Sequence, residues 1–234
     1  MYTQRRRRNL LIAFGIGLLI AIGTGFYLAQ KLKIAAAGCM DCWSINGYWR
    51  NHEDHSGPRT FDANGARHTT GQPDVYTLTV WIYGNSAMED PLHPDNDTTA
   101  SQLQALLTRR GYMWRVVNMS APGQLAAGSL AWLRDTDIRP GDLVIFVDGS
   151  VDRLVKTPLI RYHATITAAE ASAHARGARF YHFVQAYIDP AWCCAAFGAP
   201  RLNVPKVDFA EESHMTPTGA AIVAQTFFNV LTPF

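Results

Sequence analysis

Leu143-Val144-Ile145-Phe146-Val147-Asp148-Gly149-Ser150-Val151-Asp152 passes from a continuous apolar block into a short polar one. Its first five residues are all apolar, and three of them are β-branched. They cannot alternate between a wet and a dry face. A strand of that composition is buried on both sides, the situation of an inner strand in a parallel sheet covered by helices. The run then stops at small and acidic residues, the composition of a turn leaving the strand's carboxyl end.

Strand-like and helix-like segments alternate on both sides of this stretch. Tyr76–Tyr83 (YTLTVWIY) is dense in β-branched and aromatic residues and reads as another buried strand. Thr98 or Thr99 caps a helix through Arg110, with Leu103, Leu106 and Leu107 on one face and Gly111 as its stop. Met113–Asn118 reads as a strand and Gln124–Leu133 as a helix. Beyond the opening stretch, an alanine-rich helix over Thr167–Arg176 ends at Gly177, and Phe180–Val184 forms a fourth strand. Thr216 and Pro217 open a final helix, with Val223, Phe227, Val230 and Leu231 along one side. The pattern predicts a three-layer α/β/α sandwich around a mostly parallel sheet over residues 75–234. Chemistry in such sheets gathers at the strands' carboxyl ends.

Composition agrees with one folded domain plus an appendage. The chain has 234 residues, 48% hydrophobic and 17% charged, which excludes a disordered polymer. Its net charge of +2 mixes two regions. Residues 1–33 hold Arg5, Arg6, Arg7, Arg8, Lys31 and Lys33 and no acid, leaving fifteen cations against nineteen anions in the rest. A body of that sign lacks the basic stripe that nucleic acid requires.

Leu10–Ala29 contains twenty residues without a charge. As a helix it spans roughly 30 Å, the thickness of a bilayer's hydrocarbon core. Four arginines precede it and two lysines follow, so the positive-inside rule keeps the N-terminus in the cytoplasm. The expected organisation is a cytoplasmic basic tail over 1–9, a single transmembrane anchor over 10–30 in a bacterial inner membrane, a linker and lead-in over 31–74, and an extracytoplasmic domain. A signal peptide cleaved near Ala35-Ala36-Ala37 is the alternative, but its apolar core would be shorter and Lys31-Leu32-Lys33 fits poorly before a cleavage site. A lipobox ending at Cys39 fits less well, with Ala36 where leucine is usual. Ala13, Gly17, Ala21 and Gly25 recur every four residues, a small-residue stripe on which a membrane partner can dock; such residues are also common in membrane helices generally.

Cys39, Cys42, Cys193 and Cys194 suit an exported domain and allow three pairings. Adjacent cysteines bridge each other only with strain, so the favoured reading joins at least one of Cys193 and Cys194 to the 39–42 segment. A zinc site is the runner-up, although spacings of two and none do not match a zinc knuckle. His52-Glu53-Asp54-His55 reads as a solvated loop, and His163, His174 and His182 show no ligand spacing. No metal and no cofactor is assigned.

The strand ends carry the residues with chemistry. The first strand runs into Gly84-Asn85-Ser86, the second into Asn118-Met119-Ser120-Ala121-Pro122-Gly123, the third into the Asp148–Asp152 turn. The last helix follows Glu211-Glu212-Ser213-His214. A nucleophilic serine needs a base, and the base needs a carboxylate to orient it. Ser86, His214 and Glu211 supply these roles, and the amides of Ser86 and Gly123 supply oxyanion donors. Asp90, Asp95 and Asp97 either line the pocket mouth or cap the helix after them.

In these blocks the sequence resembles the SGNH (GDSL-type) hydrolase superfamily over most of residues 76–232. Gly84-Asn85-Ser86 lies where that family carries its nucleophile, Gly123 matches the second-block glycine, and Asp148–Asp152 matches the third block. Glu211 and His214 match the Asp-x-x-His block, with Met215-Thr216-Pro217-Thr218-Gly219 close to its usual continuation. Phe61-Asp62-Ala63-Asn64-Gly65-Ala66-Arg67 resembles a lead-in of membrane-anchored, exported members. The resemblance implies a flavodoxin-like sandwich and a serine esterase or acyltransferase acting on O-acyl, chiefly acetyl, groups of a secreted or envelope polysaccharide. Three positions depart from the pattern. Asn85 replaces aspartate, Glu211 replaces aspartate, and Val151 replaces the asparagine whose side chain donates to the oxyanion. Gln185 and Ser150 are candidate substitute donors, and with Asn85 and Asp152 they are the expected pocket residues. The alternative implied by Val151 is a catalytically degenerate accessory that binds glycan or organises a secretion complex.

Overall fold

The computed structural model describes residues 42–45, 48–51, 59–185, 202–205, 208–210 and 214–232. The chain divides into Met1–Met40 and Asp41–Phe234, and every described residue belongs to the second unit. The anchor expected over 10–30 and its Ala13, Gly17, Ala21, Gly25 stripe lie outside the described residues, as do Cys39, Cys193, Cys194 and the 52–55 cluster. Among the described residues no helix is long and apolar enough to cross a membrane.

Along the chain run β1 (Cys42–Ile45), β2 (Tyr48–Asn51), β3 (Leu78–Gly84), α1 (Ser86–Glu89), a 3₁₀ turn (Asp95–Asp97), α2 (Thr99–Arg109), β4 (Trp114–Asn118), α3 (Ala126–Asp135), β5 (Leu143–Asp148), α4 (Ser150–Leu154), α5 (Leu159–His174), β6 (Arg179–Val184) and α6 (Pro217–Leu231). β1 and β2 pair antiparallel, with Cys42 opposite Asn51. The other four strands form a parallel sheet in the order β4-β3-β5-β6. All six residues of β5 are buried, as expected of an inner strand covered by helices on both sides.

Two cores make the three layers. On one face Val80, Ile82, Leu143 and Ile145 meet Leu103 and Leu107 of α2 and Val223, Phe227 and Leu231 of α6. On the other, Tyr83, Val144 and Phe146 meet Leu130 and Leu133 of α3 and Tyr162, Ile166 and Ala169 of α5. Gly84 closes β3 against β5: a Cβ there would stand 2.7 Å from the Val147 carbonyl oxygen.

The structure differs from the sequence reading in instructive places. The helix before β6 starts at Leu159, eight residues before the expected Thr167, because Pro158 in extended conformation (φ −57°, ψ 132°) launches it. Its buried stripe is Tyr162, Ile166, Ala169 and Ala173, while Ile160 is 79% exposed and blurs the pattern. On α6 Val230 lies at the edge of the apolar stripe and is 37% exposed, and Phe228 is buried in its place. The lead-in contains β1 and β2, strands too short to reveal an alternating pattern. Thr98 and Thr216 cap their helices as expected, accepting from the Ser101 and Gly219 amides.

Phe227 is fully buried and its ring lies 4.9 Å from that of Phe183. Phe227→Ala should therefore lower unfolding free energy by about 3–5 kcal/mol, measurable as a lower denaturant midpoint.

Candidate functional site

Ser86 is the first residue of α1, immediately beyond the carboxyl end of β3. A four-residue helix has no stability of its own, so both of its ends are capped. At the N-terminus Asn85 Oδ1 accepts the Ala87 amide at 3.0 Å. At the C-terminus Asp90 adopts a left-handed conformation, φ 58°, and its amide bonds the Ser86 carbonyl.

The Asn85 amide group also organises the strand ends. Its Nδ2 donates to Ser150 Oγ at 2.7 Å and to Gln185 Oε1 at 3.2 Å, and Ser150 Oγ donates to the same Gln185 oxygen at 2.6 Å. Three of the four expected pocket residues are thus one buried network joining the ends of β3, β5 and β6. The asparagine supplies what a carboxylate could not, an N–H that bridges Ser150 and Gln185. Half-buried Ser86 stands outside the network. Asp152 is aimed elsewhere, with Oδ2 accepting the Ala126 amide at the start of α3, whose own cap residue Leu125 has no side-chain acceptor. Burial, and the charge of Asp148, push the Asp152 carboxyl up to about 6.

The loop after β4 is laid against this corner. Met119 donates its amide to the Ile82 carbonyl and Ala121 to that of Gly84, while Asn118 Nδ2 bonds the Met88 carbonyl. A turn closed by Gln124 N–H on the Ala121 carbonyl puts Gly123 at φ 68°, a conformation glycine adopts at little cost. On the other side, His214 stands in a loop closed by a Phe209–Met215 bridge and an Ala210 amide bond to the His214 carbonyl, directly before the Thr216 cap. Glu211 lies outside the described residues.

The charged centre of this corner is Arg67, which the sequence reading did not single out. It is 1% exposed. Its Nε donates to Asp95 Oδ1 at 2.9 Å, and Nη1 donates to the carbonyls of Glu89 and Asp90 at 2.6 and 2.8 Å. Nη1 also reaches Glu89 Oε1 at 3.2 Å, and Nη2 donates to the His93 carbonyl. The residue is delivered by the lead-in: Asp62 Oδ1 accepts the Asn64 and Ala66 amides, and Arg67 pairs with Asn118 at the end of β4. Asp95 also accepts the Thr60 amide and hydroxyl. Of the aspartates that follow Ser86, Asp90 therefore caps, accepting the Thr99 amide at 2.7 Å, while Asp95 holds Arg67.

Glu89 is fully buried beside that guanidinium. Burial raises its pKa, and the charges of Arg67, Arg59 and His214 oppose the rise. Burial lowers the pKa of His93, and the charges of Arg67 and His214 lower it further while Asp97 opposes them. His214 thus shares an electrostatic neighbourhood with the helix that begins at Ser86. Beneath the β5 end a second cluster was also missed: Tyr162 Oη donates to Asp148 Oδ1 at 2.6 Å, and His182 Nε2 lies 3.0 Å from Tyr162 Oη and 3.2 Å from Asp148 Oδ1. Burial and the Asp148 carboxylate raise the Tyr162 pKa, keeping it a neutral donor. The His182 side chain is packed into this cluster, 9% exposed. No group of three or more His, Cys, Asp or Glu among the described residues is placed to hold a metal.

No family model matches the chain, and no curated protein matches it. Solved structures share its fold. The TesA crystal structure superposes with TM-score 0.54 at 19% identity, covering 67% of this chain and 99% of that one. A psychrotrophic esterase, EstA from a Pseudoalteromonas species, gives 0.54 at 15% identity over 66% and 97%. A member of the lipolytic G-D-S-L family from Veillonella parvula gives 0.53 at 14% identity over 68% and 100%. The chain is built on the α/β fold of these hydrolases.

Asp90 offers a pH test of this corner. Burial raises its carboxyl from 3.8 to about 7, so the folded chain holds a proton that the unfolded chain has released. Its contribution to stability is therefore full at low pH and is lost as pH rises from about 4 to about 7. Asp90→Asn keeps the acceptor for Thr99 and tolerates the left-handed backbone. Thermal unfolding should show the pH 5-to-8 loss of stability shrinking by roughly 1–3 kcal/mol in this variant.

Proposed function

We propose that the chain is a membrane-tethered, extracytoplasmic serine esterase or acyltransferase acting on O-acyl groups, chiefly acetyl, of a secreted or envelope polysaccharide. The observation that carries this reading is the setting of Ser86. It opens a capped short helix at the carboxyl end of a central parallel strand, with the Gly123 turn bonded to the same strand end and the His214 loop within electrostatic reach of the same helix. The fold it shares with esterases adds weight without naming a substrate.

In this reading His214 takes the proton of the Ser86 hydroxyl as Oγ attacks the ester carbonyl carbon, and Glu211 orients the imidazole and favours its cation. The Ser86 and Gly123 amides receive the developing oxyanion. Collapse breaks the acyl–oxygen bond, and the departing sugar alkoxide takes the proton from His214. Water or a sugar hydroxyl then attacks the acyl-enzyme as His214 takes its proton; the acyl–Oγ bond breaks and His214 returns the proton to Oγ, restoring Ser86. Anchoring through residues 10–30 would hold this chemistry near a membrane synthase or acyl donor.

The second reading, an accessory that binds glycan without turnover, draws on Val151. The Ser150 hydroxyl donates to Gln185 and accepts from Asn85, so that proton is engaged within the network. One missing oxyanion donor costs about 10²–10³ in rate. The protein should release acid from a chromogenic acetyl ester, and Ser86→Ala should remove that activity. Equal inertness of the two with glycan binding retained would establish the accessory instead. Val151→Asn should raise kcat by about tenfold or more, read in the same assay; an unchanged rate would mean that another group already donates.

A further inference from the structure

Four of the eight large apolar side chains that stand exposed among the described residues fall in one short segment. Leu154, Val155, Leu159 and Ile160 lie within seven residues, and Leu154 and Ile160 are 76% and 79% exposed. The same segment, residues 153–161, carries Arg153, Lys156 and Arg161, all exposed, and no acid follows Asp152 until Glu170. We propose that this turn is a docking surface for an anionic phospholipid bilayer.

The turn is built to hold its shape. It closes α4 with the Lys156 amide on the Arg153 carbonyl at 3.0 Å and the Thr157 amide on the Asp152 carbonyl at 2.8 Å. That double closure puts Lys156 at φ 58°, a helix-terminating position where glycine is usual because a Cβ is costly there. Pro158 then launches α5. The apolar side chains and the cations therefore belong to a fixed bend, not a slack loop. α5 also opens without a side-chain cap, so its first amides and the positive end of its dipole add to the charge of the turn.

Charge selects the occupant. Beyond residue 33 the chain carries fifteen cations against nineteen anions, and without these three the balance is twelve against nineteen. The turn is a cationic spot on an acidic body. Among the described residues none of its three cations forms an ion pair, and the neighbouring Asp152 is turned inward onto the Ala126 amide. Apolar side chains this exposed project from the surface. A protein partner would need a pocket to take them, whereas the boundary between headgroups and acyl chains admits them without one. There the ammonium and guanidinium groups meet lipid phosphates while leucine, valine and isoleucine enter the acyl layer. α4 starts at Ser150, whose hydroxyl accepts from Asn85 beside Ser86, so the turn leaves the same end of the sheet as Ser86. Docking would hold that rim at the lipid surface. That this surface is the bilayer carrying residues 10–30 rests on the tethering proposed above; the docking itself does not.

Photocrosslinking of the full chain tests the assignment. p-Benzoylphenylalanine is placed at Ile160 or, for comparison, at Val75, which is exposed just before β3 at the opposite end of the sheet. The chains are combined with vesicles of phosphatidylcholine alone or mixed equally with phosphatidylglycerol, irradiated, and their adducts identified by mass. In the mixed vesicles position 160 should give a lipid adduct severalfold above that at position 75. Arg153→Gln, Lys156→Gln and Arg161→Gln together should lower that yield about tenfold, and vesicles of phosphatidylcholine alone should lower it likewise. An alkaline carbonate wash reads the tethering separately: a chain that washes off yet gives the position-160 adduct upholds docking and removes only the anchor. A position-160 adduct chiefly to a second copy of the chain or to residues 186–201 overturns the proposal. So does a lipid yield no higher than at position 75, or one indifferent to lipid charge or to the three substitutions.

Discussion

A guanidinium with no access to water must find an acceptor for nearly every N–H it carries, because an unpaired buried charge costs several kcal/mol. Arg67 meets that demand with three backbone carbonyls and two carboxylates spread over Glu89–Asp95. The fork geometry of arginine makes the arrangement rigid in a way lysine could not reproduce. The consequence reaches both directions along the chain. The lead-in is pinned onto the end of β4, and the loop leaving α1 is pinned onto the lead-in. A helix of one turn therefore keeps a defined orientation at the end of a parallel strand.

Around that anchor the strand ends carry two buried polar networks. Asn85, Ser150 and Gln185 join three strands through one network, and Tyr162, Asp148 and His182 form another beneath it. In such surroundings hydrogen bonds strengthen and unpaired charges become costly. That cost is why Asp90 and Asp152 hold protons to unusually high pH.

Two of the three departures from the pattern that the sequence resembles have different physical weight. Asn85 is accommodated, because its extra donor is used twice by its neighbours. Val151 brings no polar atom, and the hydroxyl beside it is already engaged with Gln185. A shared fold does not decide between slow turnover and pure binding; the number of donors aimed at a developing oxyanion does.

Much of the architecture was legible in the chain order of residue types. The apolar run Leu143–Val147, the Thr98 and Thr216 caps and the glycines after helices are local signals, and they appear in the structure where local chemistry puts them. The blocks that contain Ser86, Gly123 and His214 are short contiguous motifs, which is why the sequence singles them out. What sequence could not disclose is everything made by convergence. Arg67 sits in a polar stretch that reads as linker, Glu89 and His182 carry no motif, and α1 and α4 are too short to show a period. Their roles come from neighbours 20 or more residues away brought within 3.2 Å. Periodicity and capping are properties of neighbouring residues; a buried charge pair is a property of the folded chain alone.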